Sequence, residues 1–350
     1  MEKFSADNSI ETNLRSIYLL GANTATYKFA LTKSLLDLKG TESTFVSLDD
    51  LTPIFAHHLL EHVKSGKKQN TSKNGSKLIS ALHDHLQENL TLEQMLQVVR
   101  SEGFKYVLDA FHNLPKQSKS IPFFDKAVND KKQGIILTDE LYDIFESDNY
   151  DNFQEEVEGR WNLVESAWGE QTAIRVQYDN DTQELFYLKP ISNNAYMSNY
   201  KRKPLTPLRR PLNGYQKGKC FYCNQHIDIA SNKDATCQID HFLPHSLMYK
   251  SSYDLQLDEI WNLVLACKQC NGFSEKGGRL PTKEFLAKLA RRNEYLIESN
   301  LPIKETIIAQ CGRTETARKD FLNKRYLACI DISNTKAPWS PKLIYDVNFR

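Results

Sequence analysis

Two pairs of cysteines, Cys220/Cys223 and Cys267/Cys270, each enclose a two-residue gap. Such a pair puts two soft thiolates on one tight turn. Two turns supply the four sulfurs of a closed tetrahedral zinc site, which leaves no open position for chemistry. Zinc is therefore expected to be structural, and the residues beside it become the catalytic candidates. Asp240-His241 lies between the pairs, with Asn262 before the second pair and Asn271 directly after it. Histidine titrates near neutrality and can take a proton from water. Asp240 and Asn271 offer hard oxygens, which suit magnesium or manganese. An Asp-His dipeptide alone is common, and an asparagine such as Asn262 often just caps a turn. The two cysteine knuckles around them favour a site.

The ordered run Cys-Phe-Tyr-Cys at 220–223, Gln-Ile-Asp-His-Phe-Leu-Pro-His-Ser at 238–246, Trp-Asn-Leu-Val at 261–264 and Cys-Lys-Gln-Cys-Asn at 267–271, followed by Lys276, resembles the zinc-containing HNH endonucleases. These are metal-dependent nucleases of the ββα-metal fold. The resemblance spans residues 215–285 and says little about the first 190. It implies His241 as general base and Asp240 with Asn271 as ligands of one catalytic Mg2+ or Mn2+. It further implies Asn262 as the brace of the loop that positions the base, and Lys276 as a contact to the scissile phosphate. The implied partner is DNA, with RNA left open. The setting implied is prokaryotic restriction or anti-phage defence, with an ATPase or other defence-system protein and a homodimer both admitted. The alternative is a zinc-stapled nucleic-acid-binding module without catalysis, which has no reason to assemble Asp240, His241 and Asn271.

The elements that must position these residues are short. Residues 235–239 and 263–266 read as strands, and Pro244 ends the first. Successive strand side chains point to opposite faces, so Asp240 and His241 can serve one site only if the backbone bends between them. A helix from Lys268 would carry Asn271 to the same point, and if continuous would bring Glu275 near the metal. His245 reads as an exposed loop histidine. Lys217, Lys219 and Lys268 flank the zinc ligands. Upstream, no Asp or Glu occurs between Leu185 and Ile227, while Lys201, Arg202, Lys203, Arg209 and Arg210 are basic. With prolines at 190, 204, 207 and 211, this reads as an extended linker that neutralises phosphates.

The whole chain has 350 residues and a net charge of +1, so nucleic-acid binding must come from local patches. The expected class is α+β, in three parts. Residues 1–170 form a mainly helical region of recognition or partner binding, 171–214 a β-hairpin and the basic linker, and 215–350 the nuclease domain with C-terminal helices. Apolar periodicity predicts helices over 51–63, 77–90, from Thr91 onward, and over 155–168, 282–299 and 315–330. A hairpin is predicted over 173–188, turned at 179–182. His57, His58, His62, His83 and His85 sit at helical spacing and read as surface or half-buried residues. Cys237, Cys311 and Cys329 read as small buried residues. Apolar runs such as Ile17 to Leu20 are too short to cross a bilayer, and the polar start is unlike a signal peptide, so the cytoplasm is the expected location.

Overall fold

The computed structural model describes residue 4 and residues 7–21, 23–72, 75–169, 175–190, 200–230, 237–250, 255–299, 302–334 and 337–345. The fold is α+β and divides into two compact units, Ser5–Gln171 and Thr172–Arg350, the latter joined by Met1–Phe4.

The first unit contains α1 (Ile10–Leu20), α2 (Tyr27–Leu36), β1 (Phe45–Ser47), α3 (Leu48–Lys64), α4 (Lys77–Leu86), α5 (Leu92–Glu102), α6 (Phe104–Ala110), β2 (Phe124–Asn129), β3 (Lys132–Leu137), α7 (Asp139–Phe145) and α8 (Tyr150–Gly169). Thr91 opens α5 with a reciprocal capping box to Gln94, which satisfies two otherwise unpaired helix-end donors. α2, α3 and α8 meet around buried Phe29, Phe55, Leu59 and Trp161. His62 stacks on Trp161 at 3.6 Å between ring centres, and its Nδ1 lies 2.9 Å from Glu165. It is thus a core residue, unlike the surface or half-buried histidine expected. The antiparallel sheet β1-β3-β2 was not expected either. Its hairpin turns on Asp130-Lys131, both at positive φ, the two-residue geometry that glycine or asparagine usually signals.

The second unit begins with β4 (Val176–Asp179), β5 (Glu184–Pro190) and β6 (Tyr200–Pro207), an antiparallel sheet in that order. The turn between β4 and β5 is closed by Thr182 N–H donating to Asp179 Oδ1 at 2.7 Å, as the hairpin reading required. α9 (Arg209–Gln216) follows. The basic stretch is therefore strand and helix where an extended linker was expected. Pro204 and Pro207 are tolerated because β6 is an edge strand, and Pro211 because it lies in the first turn of α9. Next come β7 (Cys237–His241), a 3-10 helix over His245–Lys250, a 3-10 turn over Ile260–Asn262, β8 (Leu263–Cys267) and α10 (Lys268–Asn271). α11 (Lys283–Glu298), α12 (Pro302–Cys311) and α13 (Glu315–Ser333) complete the unit. β7 and β8 pair antiparallel from Cys237↔Cys267 to His241↔Leu263. All five residues of β8 are buried, and α11 holds the 3-10 turn that precedes it, with Arg292 and Asn293 donating to the Trp261 carbonyl at 3.2 and 3.1 Å. No helix among the described residues is long and apolar enough to cross a membrane.

Candidate functional site

The β7–β8 ribbon has two chemically different ends. At the Cys267 end, the sulfurs of Cys220, Cys223, Cys267 and Cys270 all lie within 4.8 Å of one another, and all four residues are buried. Cys223 Sγ and Cys267 Sγ are 3.7 Å apart. A zinc ion with bonds of about 2.3 Å to four sulfurs requires sulfur-to-sulfur edges of about 3.8 Å, so the spacing fits tetrahedral zinc. Backbone N–H groups support the set. Cys267 N donates to Cys220 Sγ at 3.3 Å, and Cys270 N donates to Cys267 Sγ at 3.4 Å. A divalent metal bound among the four sulfurs would hold them as thiolates. Lys288 lies beside this knuckle, donating to Asn224 Oδ1 at 2.7 Å, and burial lowers its pKa to about 8. Cys237, Cys311 and Cys329 are buried, and burial pushes each of their thiols up to about 12.

At the opposite end lie Asp240 and His241, and the strand pairing runs through both without a bend. They accordingly have different partners. Asp240, 6 % exposed, accepts from Tyr222 Oη at 2.5 Å through Oδ2 and from Lys276 Nζ at 3.0 Å through Oδ1. Tyr222 belongs to the first cysteine knuckle, so the staple touches the site through one phenol. Burial, and after it the Asp240 carboxylate, hold that phenol well above its ordinary pKa, which keeps it a donor. His241 places Nε2 2.9 Å from Asp258 Oδ1. Desolvation lowers the His241 pKa below its usual value despite the opposing carboxylates of Asp258 and Asp240, so the ring is neutral at neutral pH. His245 Nε2 lies 3.1 Å from the other oxygen of Asp258, and is no solitary loop histidine.

Asn262 is fully buried and binds three backbone groups. Its Oδ1 accepts from Leu243 N at 2.9 Å, and its Nδ2 donates to Leu243 O at 2.9 Å and to Leu257 O at 2.7 Å. Leu243 follows His241 by two residues and Leu257 precedes Asp258. One side chain thus ties the strand end that carries the histidine to the loop that carries its carboxylate.

Asn271 closes α10, which stops at Gly272, so the continuous helix that would have carried Glu275 to the site does not form. Glu275 instead accepts from Trp339 Nε1 at 3.4 Å. Asn271 Nδ2 donates to Gln238 Oε1 at 3.0 Å. Gln238 and Asp240 are two apart on β7 and share a face, which brings Asn271 to the Asp240 side of the strand. Lys276, expected at a scissile phosphate, is fully buried, and its Nζ donates to Asp240 Oδ1 and, at 2.8 Å, to His241 O. A buried ammonium must be paired, and these two oxygens pair it. Of the basic residues, Arg202 is ion-paired with Asp179 and lies 3.9 Å over the Phe186 ring. Arg209 donates to Gln183 Oε1 at 2.9 Å, Lys203 and Arg210 are half-buried, and the Lys201 side chain lies outside the described residues. The run without acids in sequence is therefore not free of acids in space.

Tyr222, Gln238 and Asp258 were not singled out from the sequence. Only Gln238 carried a usable signal, the two-residue strand period that sets it beside Asp240.

Residues 220–282 match the family model described as HNH endonuclease. No curated protein and no solved structure matches the chain. The matched segment contains the four-cysteine set and Asp240, His241, Asn262, Asn271 and Lys276, and is an HNH nuclease module with a candidate zinc site.

Proposed function

We propose that this protein is a metal-dependent endonuclease that hydrolyses phosphodiester bonds in DNA, with His241 as general base. The observation that carries the proposal is the environment of His241. The imidazole is kept neutral by burial, held by Asp258 and fixed at a strand end by the Asn262 brace. A neutral, oriented imidazole can take the proton of an attacking water. Asp240 and Asn271 lie on one side of β7 and offer hard oxygens, which fits a magnesium ion that keeps several waters and shares substrate phosphate oxygens. Such an ion, when bound, would polarise the phosphate and stabilise charge on the departing oxygen. Tyr222 and Lys276 hold the Asp240 carboxylate in place, and the ammonium also balances part of its charge. The four cysteines hold zinc as a structural group.

The basic residues Lys201, Arg202, Lys203, Arg209 and Arg210 are proposed to contact backbone phosphates, and the helical unit to recognise a target or a partner such as an ATPase. A role in restriction or anti-phage defence is consistent with a nuclease module joined to a separate unit. The test is plasmid nicking with and without magnesium. His241→Ala is expected to reduce cleavage by about 10²- to 10⁴-fold, the usual contribution of general-base catalysis, with DNA affinity almost unchanged. Normal cutting by that variant would overturn the assignment.

A further inference from the structure

We infer that Asp258 is the positioning residue of the histidine base, locking His241 in the tautomer that carries hydrogen on Nε2 and leaves Nδ1 as the proton acceptor. This deepens the proposed nuclease function and rests on it. A carboxylate is an acceptor only, so the imidazole 2.9 Å away presents Nε2–H to it. The lone pair then falls on Nδ1, the only ring nitrogen left to receive a proton. The neutral tautomer of a histidine is set in this way by the hydrogen bond of its other nitrogen.

Three features make the contact more than a chance surface pair. Asn262 bonds Leu243 and Leu257, the backbone on either side of the contact, so the separation of His241 from Asp258 is fixed by buried hydrogen bonds. His245 lies 3.1 Å from the second carboxylate oxygen, and its ring centre is 5.3 Å from that of His241, so the Asp258 carboxylate is held from two sides. The Tyr249 ring packs edge-on against His245, which limits how far that second histidine can turn. The Asp258 carboxylate is bonded to His241 through one oxygen and lies 3.1 Å from His245 Nε2 through the other.

The test uses the full chain with zinc bound and histidine ring nitrogens labelled with 15N. His241 is assigned by the signals that disappear in His241→Ala. Wild type is expected to show the Nε2–H tautomer at His241, and Asp258→Ala to lose that preference while keeping fold and zinc. Single-turnover cleavage at saturating DNA should fall about 100-fold in Asp258→Ala, the scale of a misplaced catalytic group, with the KM for DNA unchanged. Asp258→Glu, which restores an acceptor, should recover rate in proportion to the Nε2–H tautomer it recovers. An Nδ1–H tautomer in wild type, or a rate that falls without a change of tautomer, would overturn the inference. The ring spectrum needs no cleavage, so absence of nicking in wild type would sink the nuclease reading and leave the tautomer assignment separately decided.

Discussion

Replacing Asn262 by alanine removes the buried amide that joins the backbone of the histidine strand to that of the Asp258 loop. Three buried hydrogen bonds disappear, and Leu243 N, Leu243 O and Leu257 O are left without this partner. Each bond has a net worth of about 1 kcal/mol, and each buried group left unsatisfied costs about 1–3 kcal/mol. The loss is therefore expected at about 3–9 kcal/mol, a large share of the roughly 5–15 kcal/mol that stabilises an ordinary domain. Asn262→Asp should be no milder, since a carboxylate would face the Leu243 and Leu257 carbonyls that now accept from an amide. Urea unfolding measured with zinc present reads the stability term. Hydrogen exchange of the 3-10 turn and β7 locates it at the base end of the ribbon. The zinc end lies four residue steps away, about 13 Å at about 3.3 Å per residue, so zinc content should remain near one ion per folded chain. Cleavage by the folded fraction should fall about 100-fold as the His241–Asp258 geometry relaxes. A variant that loses less than about 1 kcal/mol would refute the brace, because even the most lenient count of three net bonds exceeds it.

Three other outcomes follow from the same structure. Cys267→Ser should abolish zinc binding and unfold the β7–β8 ribbon, because in a site this small metal-binding free energy is folding free energy; a folded, zinc-free variant with full activity would disprove the staple. Neutralising Lys201, Arg202, Lys203, Arg209 and Arg210 together should reduce the slope of log affinity against log salt by about 0.9 for each duplex phosphate no longer neutralised, with Arg202 contributing least because Asp179 already pairs it; an unchanged slope would place the grip elsewhere. In the helical unit, burial opposes charge on His62, yet its bonds to Glu158 and Glu165 raise its pKa above the usual 6.5, while Glu158, bonded to His62 and Lys33, is held below the usual 4.5. The His62 contribution is full below its unfolded pKa and is lost as pH rises through the raised folded value. The Glu158 contribution is present above its unfolded pKa and is lost as pH falls. Stability of the helical unit against urea should therefore fall as pH rises above the usual histidine value of 6.5, and a His62→Gln variant should lack that fall.

The parts legible in the sequence were those with a local cause. Cysteine spacing announced the sulfur cluster, and Thr91 with Gln94 announced the start of α5. The strand character of Leu263 to Ala266 announced β8. What escaped has a non-local cause. Asp258 is a loop acid with no periodicity, and it matters only because Asn262 brings its loop to His241. Lys276, expected at a scissile phosphate, is buried because Asp240 faces inward beside it. The basic stretch is strand and helix rather than linker because Pro204 and Pro207 fall on the edge strand β6 and Pro211 in the first turn of α9, where each is tolerated, while Pro190 only ends β5. The expected bend between Asp240 and His241 is absent, and the pleat keeps the two on different partners.

That separation bears on how the site works. Because the strand stays regular, the acid and the base are held by different supports, Asp240 by Tyr222 and Lys276, and His241 by Asp258 and the Asn262 brace. Lys276 meets both residues, through the carboxylate of the first and the backbone carbonyl of the second. Tyr222 reaches Asp240 from inside the first cysteine knuckle, so disturbance of the sulfur cluster passes directly to the Asp240 carboxylate. On the proposed mechanism, a DNA phosphate attacked by a water that gives its proton to Nδ1 of His241, and held on the Asp240 side, would sit at the strand terminus, where neighbouring side chains from opposite faces can both reach it.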